Sequence, residues 1–309
     1  MFGISVIICC YNGANRIKNV LSHIHNQINL DQIDYEIVFV NNASNDNTRE
    51  MVIKCRDQLG LNLEIYDEPN PGLINARKLG IKNSTKDIII FVDDDNYLDD
   101  DFFVRVLSLF ENKEISFLGG ASRLPTGYFI SDFFKKHLQC YAVGEQFKSD
   151  GYLSDGAVLW GAGLCVRRQC LIEIFNDEFK CAGRTSTVQL AGDDSELCYK
   201  LLLNGKLGFY SSSLKLTHAI DPSRFTEEKL EQMFKGFGAS APYLMRYRAK
   251  LYTNSLKVRI KYFLINKFLF LFVSLNIKYI LSKAKGDRNM ISYYGGAIST
   301  LIKNKRDFR

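Results

Sequence analysis

Short apolar runs alternate with stretches of helical periodicity along the first hundred residues. The runs hold β-branched and aromatic residues without polar alternation, which is typical of strands buried on both faces of a sheet. Between them, apolar residues recur every three or four positions, as on one face of a helix. Strands that alternate with helices predict an α/β protein with a mostly parallel, Rossmann-like central sheet flanked by helices. The predicted strands are 5–10, 35–40, 61–66 and 88–92, and the predicted helices are 15–28, 51–59 and 75–81.

The later part of the chain continues this alternation less regularly. A helix is predicted over 102–110, a strand over 115–120, and a helix that starts in the acidic segment at 192 and ends at 203. Short strands are expected over 207–210 and 214–217, followed by a helix from 226 that Pro242 interrupts.

Composition and cysteine usage narrow the class of protein. The chain has 309 residues, of which 46% are hydrophobic and 24% charged, as in an ordinary globular protein. The eight cysteines are scattered without a CxxC pair, so reduced thiols in a cytosolic setting are expected. No basic segment precedes the first apolar run, so no signal peptide is expected.

Charge is distributed unevenly along the chain. Residues 246–309 contain 15 Lys and Arg against two acids, a net charge of +13, whereas residues 1–245 carry a net −7. A basic tail on an acidic body predicts an anionic partner for the tail. The charge also fits nucleic acid, but no recognition motif accompanies it, so no nucleic-acid partner is expected.

The tail contains an uncharged run of ten residues, 268–277, between Lys267 and Lys278. A helix that spans a bilayer needs about 20 apolar residues. Two interpretations remain open for this segment. It could lie as an amphipathic segment on an anionic membrane surface. It could instead pack on the domain formed by the preceding residues, with a basic outer face.

Three consecutive aspartates, Asp93, Asp94 and Asp95, follow the apolar run at 88–92. In open α/β sheets, ligands bind at the carboxyl ends of the strands. Adjacent carboxylates repel one another, and Mg²⁺ or Mn²⁺ carrying a substrate's phosphates resolves that repulsion. A solvated turn or a helix N-cap is the alternative interpretation.

Four segments resemble the successive motifs of family 2 glycosyltransferases. They are SVIICCYN at 5–12, VNNASND at 40–46, NARKLG at 75–80 and FVDDD at 91–95. The resemblance continues with GAG at 161–163 before Arg167 and Arg168, and with GDDSEL at 192–197. It implies the GT-A fold and inverting transfer from a nucleotide sugar, most often a UDP-sugar. It also implies a glycosyltransferase domain over 1–225, with a nucleotide-binding half at 1–98 and an acceptor half at 99–225, before a helical region at 226–309.

The resemblance gives the donor a set of contacts. The nucleobase would meet the end of the second strand, where an amide can donate and accept hydrogen bonds. A guanidinium on the third helix would meet the diphosphate or ribose. The alternatives are a half-buried aromatic for Tyr11 and a surface arginine for Arg77. The implied donor residues are Tyr11, Asn42, Asp46 (ordering its loop), Arg77, Asp93 (on the ribose side) and Asp94, which has no distinct role.

A metal and a base complete the implied chemistry. Asp95 would bind Mn²⁺ or Mg²⁺, with His218 as second ligand or as a structural histidine; imidazole suits Mn²⁺ better. Asp194 would remove the acceptor hydroxyl's proton, although this acidic segment also reads as a helix N-terminus. Trp160, Gly161 and Asp193 are placed on the acceptor side, with core packing as the alternative for Trp160.

The sequence therefore predicts an inverting hexosyltransferase of bacterial cell-surface polysaccharide synthesis, of the capsule or lipopolysaccharide type. Its acceptor would be a glycan or a polyprenyl-linked oligosaccharide, and the enzyme would be cytoplasmic and peripheral on the inner face of the cell membrane. One alternative is a catalytically silent nucleotide-sugar-binding subunit of a membrane-bound polysaccharide assembly complex. Another is nucleotidyl transfer, which would release pyrophosphate.

Overall fold

The computed structural model describes residues 2–154, 156–181, 191–251 and 268–308. The chain divides into two compact units. The first comprises Met1–Leu153, Leu159–Glu178 and Gly205–Ile220, and the second comprises Ser154–Val158, Phe179–Asn204 and Asp221–Arg309.

All strands in the described residues belong to the first unit, where they form one sheet of nine strands. Six helices of the same unit lie between these strands along the described chain. The strands are β1 Ile4–Cys10, β2 Tyr35–Asn42, β3 Leu63–Glu68, β4 Ile88–Asp93, β5 Asn96–Leu98, β6 Ile115–Arg123, β7 Gly151–Tyr152, β8 Cys165–Arg167 and β9 Leu207–His218. The helices with them are α1 Ile17–His25, α2 Thr48–Leu59, α3 Leu73–Asn83, α4 Phe102–Phe110 and α5 Asp132–Lys135, and α6 Arg168–Phe175 follows β8.

The sheet has the order β3-β2-β1-β4-β8-β6-β9-β5, with β7 on β9. The pairs β3–β2, β2–β1 and β1–β4 are parallel, as the βαβ pattern predicts, and so is β6–β9. The pairs β4–β8, β8–β6, β5–β9 and β7–β9 are antiparallel. The sheet is thus parallel over its first four strands in chain order and mixed beyond them, which confirms the predicted α/β class.

The core of the first unit explains why its strands lack polar alternation. In β1 and β4, residues on both faces are buried, including Ile7 at 1% and Ile8 and Ile89 at 0% exposure. Helices cover both faces of such a sheet, so each apolar side chain finds a packed neighbour. The apolar stripe of α1 is likewise fully buried, which confirms the helix predicted from its spacing.

Three predictions on element boundaries were wrong. The helix predicted over 15–28 ends at His25, and Ile28 beyond it is 49% exposed. The two short strands expected between 207 and 217 are one strand, β9, whose register with β6 shifts between Gly119 and Ala121. The helix expected to break at Pro242 instead continues through it as α8. Pro242 costs one backbone hydrogen bond, and its burial among packed neighbours offsets that loss.

The second unit is helical in its described residues. Its helices are α7 Asp193–Leu203, α8 Glu227–Leu251, α9 Phe268–Lys285 and α10 Arg288–Lys303, followed by a short 3₁₀ turn, Lys305–Phe308. In α8 and α10, Gly238 and Gly296 let the backbones meet, since a Cβ atom on either would overlap a carbonyl oxygen of the other helix. The uncharged run at 268–277 is the first part of α9, while Lys267 lies outside the described residues.

Within the parts of the chain that the structure describes, no helix combines the length and the hydropathy needed to cross a membrane.

Candidate functional site

The parallel strands bring three predicted donor residues to one edge of the sheet. In the parallel registers, Cys9 of β1 lies opposite Asp93 of β4, and Cys10 lies opposite Asn41 of β2. Tyr11 follows β1 directly and is 46% exposed. The carboxyl ends of β1, β2 and β4 therefore align, and Tyr11, Asn42 and Asp93 are presented at the same edge, where ligands bind in such sheets.

Hydrogen bonds tie the loop after β1 to the loop after β2. The backbone N–H groups of Asn12 and Gly13 donate to Ser44 Oγ at 3.0 Å and to Thr48 Oγ1 at 2.8 Å. The Asp46 carboxylate accepts from the backbone N–H of Ala14 at 3.3 Å and of Thr48 at 3.0 Å. The partial burial of Asp46 acts to raise its pKa, but the hydrogen bonds from Thr48 and Ala14 outweigh it and lower that pKa. The Asp46 carboxylate thus links the loop after β1 to the start of α2, and its part in donor binding stays a prediction.

Asn42 holds the loop that precedes α3. Its Nδ2 donates to the carbonyl oxygens of Asn70 at 2.9 Å and Glu68 at 3.4 Å, and its Oδ1 accepts from the Gly72 N–H at 2.9 Å. The side chain is 7% exposed. Its amide is therefore engaged by the protein itself, and the geometry favours a role in shaping the nucleotide loop. Direct contact between Asn42 and a base stays a prediction.

Arg77 is not a surface arginine. It lies on α3 at 2% exposure, with its guanidinium carbon 5.1 Å from the centroid of the Phe91 ring of β4. The close approach of α3 to the sheet requires Gly80, because a Cβ there would lie 2.5 Å from Ile7 Cγ2. A buried, permanently charged guanidinium beside a strand that ends in aspartate is suited to an anionic ligand.

The two cysteines of β1 lie beneath this edge as neutral thiols. Burial raises the pKa of Cys9 to about 12, with Arg77 acting to lower it and Asp93 to raise it. Burial also raises the pKa of Cys10, and the neighbouring Asp94 carboxylate adds to that effect. Both thiols are therefore protonated at neutral pH.

Asp94 is engaged within the protein. Its Oδ2 lies 2.5 Å from Arg16 Nη2 and accepts from Cys10 Sγ at 3.2 Å. Burial raises the pKa of Asp94, while the Arg16 guanidinium opposes this shift. The middle aspartate therefore ties the start of α1 to the end of β4, and its contribution to donor binding stays a prediction.

The structure brings together the two predicted metal ligands. Asp95 follows β4, and the antiparallel pairing of β5 with β9 places Asn96 opposite His218. Asp95 Oδ1 and His218 Nε2 are 3.4 Å apart, and the Ala219 N–H donates to the Asp95 carbonyl oxygen at 2.8 Å. Asn96, at 0% exposure, donates from Nδ2 to Asp95 Oδ1 at 2.9 Å and thereby orients the carboxylate.

This pair fits a divalent cation. Two ligand atoms at about 2.1 Å from one ion and about 90–110° apart lie about 3.0–3.4 Å from each other, which matches the Asp95–His218 distance. The His218 ring is 7% exposed, and its Nδ1 is buried without a hydrogen-bond partner. Among the described residues, no group of three or more His, Cys, Asp and Glu side chains could hold a metal ion. A cation on this pair would take its other ligands from diphosphate oxygens and water.

Trp160 and Gly161 lie in the turn before β8. The Trp160 backbone N–H donates to Gln146 Oε1 at 2.7 Å, and Gln146 Nε2 donates to the Gly120 carbonyl at 2.7 Å. The Trp160 ring is half-buried, so it is partly packed in the core and partly accessible for stacking on a sugar ring. Its role toward an acceptor stays a prediction.

The predicted base lies in the second unit, in the first turn of α7. Gly192, with φ at +103°, precedes three acids. Glu196 is fully buried and accepts from the Lys180 N–H at 2.9 Å, the Cys181 N–H at 2.5 Å and the Tyr247 hydroxyl at 2.8 Å. Asp193 is 6% exposed, whereas Asp194 is half-buried. Of the three, Asp194 is the most open to a substrate.

Three residues with structural roles at these positions were missed by the sequence analysis. Glu196 was recognised only as part of the segment at 192–197, because the burial that requires its hydrogen-bond partners cannot be read from the sequence. Asn96 ends the acidic segment, and its role depends on β5, a three-residue strand with little sequence signal. Arg16 precedes α1 and pairs with a residue 78 positions away, a contact that no local pattern reveals.

The family model "Glycosyl transferase family 2" matches residues 5–156. A poly-beta-1,6-N-acetyl-D-glucosamine synthase from Staphylococcus epidermidis is 29% identical over 126 residues, which are 40% of this chain and 29% of that protein. A protein of the same name from Staphylococcus aureus is 31% identical over 99 residues, which are 32% of this chain and 23% of that protein. The chain thus matches less than a third of the length of these relatives.

Solved structures extend the similarity to the fold of nearly the whole chain. S. aureus TarS 1–349, solved in complex with UDP-GlcNAc, has a TM-score of 0.57 at 15% identity, covering 96% of this chain and 91% of that one. The mannosyltransferase PcManGT from Pyrobaculum calidifontis, solved with GDP-Man and Mn²⁺, has a TM-score of 0.58 at 16% identity, covering 98% and 87%. The fold is therefore that of the GT-A glycosyltransferases. Residues 5–156, about half of the chain, therefore form a domain that matches the family 2 glycosyltransferases.

Proposed function

We propose that this chain transfers a sugar from a nucleotide diphosphate sugar of the UDP class to a glycan or lipid-linked acceptor in cell-surface polysaccharide synthesis. The observation that carries the proposal is the Asp95–His218 pair, 3.4 Å apart at the edge of the sheet where β1, β2 and β4 end. Arg77 and Asp93 lie near that same edge, close enough to the Cys9 thiol to shift its pKa, Arg77 downward and Asp93 upward. The buried guanidinium of Arg77 and the Asp95–His218 pair together are suited to bind a ligand that carries a diphosphate.

The choice of UDP and of a polysaccharide acceptor draws on the relatives. TarS has been solved with UDP-GlcNAc, and the staphylococcal relatives are named for the synthesis of an N-acetylglucosamine polymer. PcManGT has been solved with GDP-Man, so GDP-sugars are the second donor class to be tested.

Residues of the first unit would hold the donor. Asn42, through its hydrogen bonds to the loop at 70–72, would shape the surface under the nucleobase. Asp93 would meet the ribose, and Arg77 would place a fixed positive charge near the diphosphate. Asp95 and His218 would hold a divalent cation, which neutralises charge on the diphosphate as it leaves.

Asp194 would act as the general base in a direct displacement. The acceptor hydroxyl oxygen forms a bond to the anomeric carbon while the bond from that carbon to the diphosphate oxygen breaks. The hydroxyl proton passes to the Asp194 carboxylate, and the leaving group departs as a nucleoside diphosphate with inversion at the anomeric carbon. Glu196 is unsuited to this role because its two carboxylate oxygens already accept three hydrogen bonds.

The base assignment is tested by substitution in the full chain with a membrane lipid or glycan extract as acceptor. Asp194→Asn should lower transfer at least about a hundredfold, because the loss of a general base costs about 10²–10⁴ in rate. Donor binding should not change. Full transfer by Asp194→Asn would remove Asp194 from the mechanism.

The donor class is tested by thermal shift with UDP-, GDP-, CMP- and dTDP-sugars, each with Mn²⁺. Stabilisation should be largest with UDP-sugars, because ligand that binds only the folded state raises its stability. Preference for another nucleotide class would correct the donor and leave the transferase assignment in place. Binding without turnover in the presence of acceptor extract would favour the silent subunit, and pyrophosphate release would favour nucleotidyl transfer.

A further inference from the structure

Helix α9 carries an apolar face that points away from its own packing. Its inner face buries Leu271, Leu275 and Ser282, and the two leucines join a cluster with α10 and the 3₁₀ turn after it. Six large apolar side chains of the same helix are 45–70% exposed. They are Leu269, Phe270, Val273, Ile277, Ile280 and Leu281.

These exposed residues form one continuous stripe. At 100° per residue, the six positions and the exposed Ala284 fall within an arc of about 120° on the helix, opposite the buried residues. The arc contains no charged residue. With a rise of about 1.5 Å per residue, the stripe from 269 to 284 is about 22 Å long.

Lysines border the stripe along both edges. On the helical wheel, Lys283 lies about 40° beyond Leu269 on one edge, and Lys285 and Lys278 lie about 40° and 60° beyond Leu281 on the other. Helix α9 contains three lysines and no acid, and residues 268–308 contain seven Lys and Arg against two Asp. An apolar surface and a cationic surface therefore lie side by side on this helix.

We propose that this face of α9 docks on an anionic lipid surface, with the helix axis in the plane of the membrane. The apolar stripe would enter the boundary between headgroups and acyl chains, and the lysines would meet the anionic headgroups. Charge decides between this occupant and a second copy of the chain. A symmetric dimer would place the lysine borders of one stripe against those of the other, whereas anionic headgroups neutralise them.

The sequence left two interpretations open for this segment, an amphipathic segment on an anionic membrane surface and a helix packed on the catalytic domain with a basic outer face. Helix α9 packs within its own unit, and its outer face is apolar with basic edges, which favours the first interpretation. The proposal does not depend on the donor or the base, since docking needs neither substrate nor turnover.

The test is co-sedimentation of the full chain with two kinds of vesicle, phosphatidylcholine alone and phosphatidylcholine mixed with phosphatidylglycerol. The chain should bind the mixed vesicles more strongly. Ile277→Glu should lower the partition coefficient at least about tenfold, because it removes a buried apolar side chain from the docked state and adds a charge. Ile28→Glu is the matched control: Ile28 is 49% exposed and Ile277 is 54% exposed, and the control should bind like the native chain.

The electrostatic part is tested separately with Lys285→Gln. A lysine near an anionic surface contributes about a fivefold change in binding, so this variant should bind mixed vesicles about fivefold more weakly and neutral vesicles unchanged. Circular dichroism should show all variants folded, since each changed residue is exposed and none is in the core.

Three results would overturn the proposal. The first is equal vesicle binding by Ile277→Glu and Ile28→Glu, and the second is the failure of the native chain to bind vesicles. The third is a native dimer in sedimentation velocity that Ile277→Glu converts to monomer while neither binds vesicles, which would assign the face to a second copy.

Discussion

At the scale of single residues, neighbouring asparagines at the end of β2 have different tasks. Asn42 is buried and makes three hydrogen bonds to the loop before α3. Asn41 is half-buried and makes one, from its Nδ2 to Asp67 at 2.8 Å, while its Oδ1 is buried without a hydrogen-bond partner. Two residues with the same side chain thus allow a matched comparison.

We expect Asn42→Ala to lower the free energy of unfolding by about 1–3 kcal/mol, because it leaves buried backbone groups without partners. Asn41→Ala should change it by less than about 0.5 kcal/mol. Urea denaturation of both variants checks this. Equal effects would show that Asn42 does not hold the loop.

Two acids of α7 are expected to differ in role, with Glu196 structural and Asp194 catalytic. Glu196→Gln would set an amide N–H₂ against backbone N–H donors, so we expect a loss of about 3 kcal/mol in unfolding free energy. Asp194→Asn should cost less, because Asp194 is half-buried whereas Glu196 is fully buried. Thermal or urea unfolding measures both. A large loss in Asp194→Asn would indicate that Asp194 is structural.

The stability of the fold is expected to depend on pH through Asp46. Its folded-state pKa is lowered, so its contribution to stability is present above the ordinary aspartate pKa and is lost as pH falls through the folded-state value. In Asp46→Asn, the stability difference between about pH 7 and about pH 3 should be smaller than in the native chain. Thermal unfolding across this range provides the measurement. Parallel pH profiles would contradict the assignment.

At the scale of elements, the crossing of α8 and α10 depends on glycine. A Cβ on Gly296 would overlap the Lys235 carbonyl oxygen, whereas a Cβ on the adjacent Gly295 would meet only the Tyr279 ring at 3.7 Å. The two glycines lie on the same helix and differ in the neighbouring atom that an added Cβ would contact.

Alanine gains about 1 kcal/mol over glycine in a helix interior. Gly295→Ala should therefore stabilise the protein by up to that amount, while Gly296→Ala should destabilise it by about 2 kcal/mol because the obstructing atom is backbone. Urea unfolding distinguishes them. Stabilisation by both substitutions would contradict the close crossing.

The sequence predicts these elements well where one local rule acts alone. The helix at 102–110 and the strand at 88–92 follow from spacing and burial, and both match their observed bounds to within one residue. Pro242 misled the prediction because the rule against proline in helices takes no account of packing around it. The antiparallel strand β8 has only three residues, too few for a period to appear.

At the scale of the whole molecule, the sequence motifs predicted the residues at the strand ends but not the contacts that depend on long-range pairing. Asp93, Asp95 and the loop ordered by Asp46 follow from strand ends, since parallel strands must end at one edge. The Asp95–His218 distance could not be read from the sequence, because it depends on β5 pairing with β9 across 122 residues. The engagement of Asn42 and Asp94 by the protein depends on loops whose conformation no period describes.

The central claim is that Asp95 and His218 form a cation-dependent site for a nucleoside diphosphate. Calorimetric titration of UDP into the full chain, with and without Mn²⁺, tests it most directly. We predict binding that requires Mn²⁺ and weakens at least about tenfold in Asp95→Asn, while Asp31→Asn, an exposed aspartate in the 3₁₀ turn Leu30–Gln32, binds as the native chain does. Binding of UDP that is indifferent to Mn²⁺, or equal in Asp95→Asn and Asp31→Asn, would contradict it.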